Sequence, residues 1–114
     1  MVRIVVTCAI ALFAFIFSGF SHSQSAWATP VDSGVQIFQV QCAGCHAHGG
    51  NIIRRRRTLK KKALHRNGID SPEEIALLVT NGKNNMSAFE DRLSPEEIEA
   101  VSAYVWEQAE LGWR

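Results

Sequence analysis

The chain predicts an all-α domain, and three observations carry that reading. No stretch alternates polar and apolar residues convincingly as a strand. Two Ser-Pro-Glu-Glu tetrapeptides, at 71–74 and 94–97, each place Ser at an N-cap, Pro at N1 and Glu at N3. Apolar residues then recur at spacings of three and four, as Val35, Phe38 and Cys42 and again as Ile98, Val101 and Val105.

In chain order, residues 1–28 read as a secretory signal. Arg3 supplies the positive n-region, an apolar run extends from Ile4 to Phe20, and Ala26-Trp27-Ala28 is a small-x-small cleavage signature. The run is long for a signal and near the lower limit for a membrane span, so an uncleaved anchor competes with cleavage after Ala28. Cleavage leaves residues 29–114 as one small domain, with no membrane insertion. Cys8 lies within the apolar run and has no role in the mature chain.

Asp32 is placed to cap a first helix running to about Cys45. Residues 58–68 predict a short helix closed by Gly68. Ser71 starts a third helix, ended by Gly82, and Ser94 a fourth. The fourth carries Ile98, Val101, Val105 and Ala109 toward the core and stops near Gly112. The two similar caps are a shared way of starting a helix, with no internal repeat behind them.

Charge excludes one class of partner. Twelve basic residues face eleven acidic ones, and losing Arg3 with the signal evens the balance. That argues against nucleic acid as a partner.

Chemistry concentrates at Cys42-Ala43-Gly44-Cys45-His46. Two thiols three positions apart, followed at once by an imidazole, match a c-type haem attachment site. On a helical turn the sulfurs can add across the two vinyl groups of one porphyrin, and His46 then reaches the iron. A zinc or redox Cys-x-x-Cys is the competing reading. Size and export favour haem. A domain this small needs a staple, and a Cys42–Cys45 disulfide would close only a tiny loop.

Met86 is the only methionine left after the signal and sits in a polar loop, 82–89, well downstream of His46. It reads either as gap-filling core or, preferred here, as the second axial ligand. His48 is too near His46 to reach the opposite face, and His65 reads as surface. Trp106 and Trp113 read as packing. No acid–base pair, nucleophile triad or phosphate loop occurs, so the chain is not expected to be an enzyme.

With these blocks in place, the sequence resembles cytochrome c6, a class I cytochrome c of cyanobacteria and algal plastids. The matching segments are Gly34-x-x-Ile37-Phe38, the Cys42–His46 motif, Gly49-Gly50-Asn51, Thr58-Leu59-Lys60-Lys61, Ala63-Leu64, Asn81-Gly82-Lys83, Met86-x-Ala88-Phe89, Val101-x-x-Tyr104-Val105 and Gln108-Ala109-x-x-Gly112-Trp113. The resemblance implies a class I cytochrome c fold, about four helices around one covalently bound haem c. It implies Cys42 and Cys45 in thioether linkage, His46 and Met86 as axial iron ligands, and first and last helices crossing at Gly34 near Phe38 and Tyr104. It also implies a soluble, monomeric one-electron carrier in the thylakoid lumen or a cyanobacterial periplasm. Its partners would be the cytochrome b6f complex and photosystem I, by transient docking.

Two residues depart from the photosynthetic pattern. Ser87 replaces the proline usual after the axial Met, predicting a more mobile loop. Leu78 replaces a glutamine that lies against the haem, which resembles a lower-potential c6-like branch serving another acceptor such as a terminal oxidase. A haem-based sensor, in which Met86 lets go, is the reading from a different class. Finally, seven basic residues within 54–62 read either as a solvated, self-repelling segment or as a docking patch for an acidic surface.

Overall fold

The computed structural model describes residues 30–114, so the signal reading and its cleavage site lie outside the described residues. Four helices account for the regular structure among them, with no strand beyond one isolated bridge between Lys83 and Met86. The first, α1, is a continuous rod in three parts: an α-helix Pro30–Ile37, a π-helical stretch Phe38–Cys42 and a final α-turn Ala43–His46. A 3-10 turn, Ala47–Gly49, follows. The others are α2, Lys61–Arg66; α3, Pro72–Asn81; and α4, Pro95–Leu111.

Local chemistry explains the starts of α3 and α4. Ser94 Oγ accepts the Glu97 amide and the Glu97 carboxylate accepts the Ser94 amide, a complete capping box. At α3 the box is half-rearranged. Ser71 Oγ accepts from the Glu74 amide at 3.3 Å, but the Glu74 carboxylate reaches past Ser71 to the Asp70 amide.

Two expected starts are revised. Asp32 stands in the first turn of α1, which is already helical at Pro30, so it is not the cap. α2 begins only at Lys61 because residues before it are recruited elsewhere. The Leu59 amide donates to the Gly49 carbonyl at 2.8 Å, and the Trp113 indole donates to the Leu59 carbonyl at 3.0 Å. Lys60 is extended, which ends any helix there.

The core is built where α1 crosses α4. Ile98, Val101, Val105 and Ala109 are all buried, as their spacing predicts, and Phe38 packs against them. A Cβ on Gly34 would sit 2.4 Å from the Ala100 carbonyl oxygen, so only glycine permits this approach of the two helices. Phe38 then meets Tyr104 and Trp113, with ring centroids 5.4 and 5.2 Å away. This aromatic cluster packs at the crossing and anchors the chain end against the turn after α1.

Candidate functional site

The C-terminal end of α1, helices α2 and α3, the inner face of α4 and the loop 82–89 together line a cavity of about 670 Å³. Its inner wall is aliphatic, with Leu64, Ile75, Leu78, Val79, Val101 and Val105 contributing. All four residues singled out from the sequence, Cys42, Cys45, His46 and Met86, line this cavity.

The π-helical stretch carries Cys42 and leads into the turn that carries Cys45 and His46. Its wider turns re-phase α1 just ahead of the motif, a common place for such a feature near functional residues. Cys42 is half-buried and Cys45 exposed, and both are free thiols. Burial pushes the Cys42 thiol up to about 11, because the thiolate would be poorly solvated there.

His46 is oriented by the backbone. Its Nδ1 lies 2.8 Å from the Gly50 carbonyl oxygen, which can only accept. Nδ1 therefore carries the proton, and Nε2 keeps the lone pair that a metal would take. The other histidines stand elsewhere. His48, at φ 52°, borders a smaller recess beside Trp113. His65 is exposed, pairs with Asp70 and meets the edge of Trp106. Neither lines the cavity.

Met86 is held by its backbone. Lys83 and Met86 exchange two N–H···O bonds, each 3.0 Å, and the Phe89 amide donates to the Val79 carbonyl at 2.9 Å. Gly82 permits the turn: its φ is +68°, and a Cβ there would lie 2.6 Å from the Met86 carbonyl oxygen. Thus the strap is pinned on both sides of Met86, although Ser87 stands where proline would have stiffened it. Leu78 lines the cavity, so an apolar side chain occupies a position that could have offered an amide.

Sequence reasoning missed the organiser of the neighbouring loop. Asn51 Oδ1 accepts from the amides of Ile53 and Arg54, and its Nδ2 donates to the Arg57 carbonyl. Arg54 then reaches the Asn85 side chain at 3.5 Å, linking this loop to the Met86 strap. An Asn after two glycines is a turn signal. Its partners three and six residues on carry no local signature.

The residues present fit a covalently held haem. The space is of ligand size, its interior is apolar, and its wall offers two unpaired thiols, an imidazole whose Nδ1 is engaged by Gly50, and a thioether. A zinc site is less well matched: among the described residues no group of three or more His, Cys, Asp or Glu is arranged to hold a metal ion.

The chain is similar to several known proteins. The family model described as cytochrome c oxidase, cbb3-type, subunit III, matches residues 29–105. A cytochrome c6-like protein of Nostoc sp. (strain PCC 7120) is 54% identical over 105 residues, which is 92% of this chain and 95% of that protein. Among solved structures, cytochrome c6C from Synechococcus sp. PCC 7002 is similar with a TM-score of 0.68 and 59% identity, covering 70% of this chain and 98% of that one. Cytochrome c6 from the diatom Phaeodactylum tricornutum gives a TM-score of 0.71 at 49% identity, covering 73% and 98%.

Proposed function

This chain belongs to the cytochrome c6 family, and from that premise we propose that it passes single electrons from the cytochrome b6f complex to photosystem I. Family membership implies a covalently bound haem c. We assign one haem per chain, with Cys42 and Cys45 as its thioether attachments and His46 and Met86 as the axial iron ligands. The observation that carries the assignment is the meeting of these four side chains on one apolar cavity. The working protein is then residues 29–114, monomeric, in the thylakoid lumen or periplasm after cleavage behind Ala28.

When bound, the haem would supply a one-electron redox centre, with Cys42 and Cys45 tethering it and His46 and Met86 holding its iron. The chain does the rest. The Gly50 carbonyl fixes the His46 tautomer and ring direction. The Lys83–Met86 bonds hold the thioether's backbone, so little rearranges between oxidation states. Leu64, Ile75 and Val79, all buried, keep water from the inner wall. In this scheme the protein is a carrier and not an enzyme, which its likeness to cytochrome c6 supports.

Leu78 favours a second reading, a lower-potential carrier of the c6-like kind serving another acceptor, such as a terminal oxidase. The cavity wall there is apolar, and the Nostoc relative is itself named cytochrome c6-like. A redox titration separates the two. A single one-electron wave at a potential matched to photosystem I supports the first reading, and a clearly lower one supports the second. Carbon monoxide binding to the reduced protein at neutral pH would overturn both in favour of a haem-based sensor.

A further inference from the structure

The carrier reading leaves unused the most lopsided surface of the molecule. No Asp or Glu occurs between Asp32 and Asp70, and within that span stand the arginines 54–57, the lysines 60–62 and Arg66. These are eight of the eleven basic residues that follow the signal. All eight are exposed. Among the described residues only Lys61 of this set is in an ion pair, with Glu110. The run opens on two aliphatic side chains, Ile52 at 71% exposure and, at the edge of the cavity, Ile53 at 58%.

The loop is ordered all the same. Asn51 organises its backbone, and the Ile52 amide donates to the Cys45 carbonyl at 3.1 Å. A bare isoleucine pair on an ordered loop, beside uncompensated positive charge, combines the two terms of peripheral membrane binding. The aliphatic tips enter the interfacial layer, and the guanidinium and ammonium groups meet anionic headgroups.

We propose that the Ile52–Ile53 tip and the basic run behind it dock this protein reversibly on an anionic bilayer surface. Protein interfaces are depleted in lysine and enriched in aromatic residues at their centres, and residues 52–66 contain no Phe, Tyr or Trp. Here a single sign covers the face, and the apolar element is two adjacent aliphatic residues. That pattern matches a fluid anionic surface better than an acidic protein. Ile53, Arg54 and Arg57 also line the cavity mouth. Docking therefore turns that mouth toward the membrane and confines the protein's diffusion to its surface.

The test uses the haem-loaded protein and sedimentation with vesicles of 40:60 phosphatidylglycerol and phosphatidylcholine, against pure phosphatidylcholine. It requires no electron transfer, so its result is independent of the carrier assignment. Binding is expected to the anionic vesicles alone and to weaken as salt rises. Arg55→Gln/Arg56→Gln is expected to lower partitioning by roughly tenfold or more. Ile52→Ser/Ile53→Ser, which keeps every charge, is expected to lower it on the order of tenfold, with the far-UV spectrum confirming that the variant is folded. Failure to bind anionic vesicles overturns the proposal. So does binding that the serine pair leaves unchanged, which is electrostatic adsorption only. Retention on a polyglutamate matrix without vesicle binding assigns the face to an acidic protein instead.

Discussion

At His46 the backbone makes a choice that the side chain alone cannot make. A carbonyl oxygen 2.8 Å from Nδ1 accepts a hydrogen bond from it and leaves Nε2 as the only ring nitrogen able to bind a metal. Cys42 is governed by the opposite kind of influence. Desolvation holds its thiol at about 11, so in the haem-free chain it is protonated across the physiological range. Leu78 lines the cavity, and under the proposed assignment a polar group at this position would act on the haem. Leu78→Gln is expected to raise the reduction potential. One added hydrogen bond is worth about 1 kcal/mol, or roughly 40 mV for a one-electron couple. Spectroelectrochemical titration of the two proteins checks this; an unchanged or lowered potential would remove Leu78 as the determinant. Met86 carries a second expectation at this scale. Met86→Ala is expected to open one axial position, so that the reduced variant binds carbon monoxide where the parent protein does not.

At the scale of elements, stability rests on helix starts and on one tight crossing. Gly34→Ala places a Cβ 2.4 Å from the Ala100 carbonyl oxygen, and the α1–α4 crossing must open to admit it. The expected cost is about 1–3 kcal/mol, read from the urea midpoint; no change would mean that the crossing is loose. The caps give a pH signature. Glu73 is held below the usual carboxylate range by the Ser71 side chain and then its own amide, and Glu96 by its own amide and then the Ser94 side chain. A carboxyl with a lowered folded pKa contributes stability above its unfolded value, 4.5 here, and loses it as pH falls through the folded one. Glu73→Gln/Glu96→Gln is therefore expected to flatten the fall in melting temperature below that pH and to leave its shape at neutral pH unchanged.

These same elements separate what the residues announce from what they conceal. Ser71 and Ser94 announce their helices, because a cap is satisfied within four residues of itself. Ile98, Val101, Val105 and Ala109 announce the buried face of α4 for the same reason of short range. The late start of α2 is concealed, since Leu59 is drawn out of a helix by Gly49 and by Trp113, fifty-four positions away. Asp32 misleads because its chemistry suits a cap, yet the helix has already begun two residues earlier. At the site, the Cys42–His46 motif and Met86 are legible as residue types. Their meeting on one cavity, the Gly50 partner of His46 and the pinning of the Met86 strap belong to the fold. Ser87 is legible as a missing proline, whereas the two Lys83–Met86 bonds that hold the backbone just before it are not.

The described residues form a small helical domain around the cavity of about 670 Å³. A domain of this size has little core of its own to lend. Filling the cavity with a covalently tied macrocycle would complete that core and bring α1, α3 and α4 onto one body. Among the described residues no helix is long and apolar enough to cross a membrane. Denaturing mass spectrometry of the full-length gene's product, exported by a host able to mature c-type cytochromes, tests the central claim most directly. The account predicts a polypeptide beginning at Thr29, heavier by one haem that survives unfolding and is lost in Cys42→Ser/Cys45→Ser. A product at the bare polypeptide mass would contradict it.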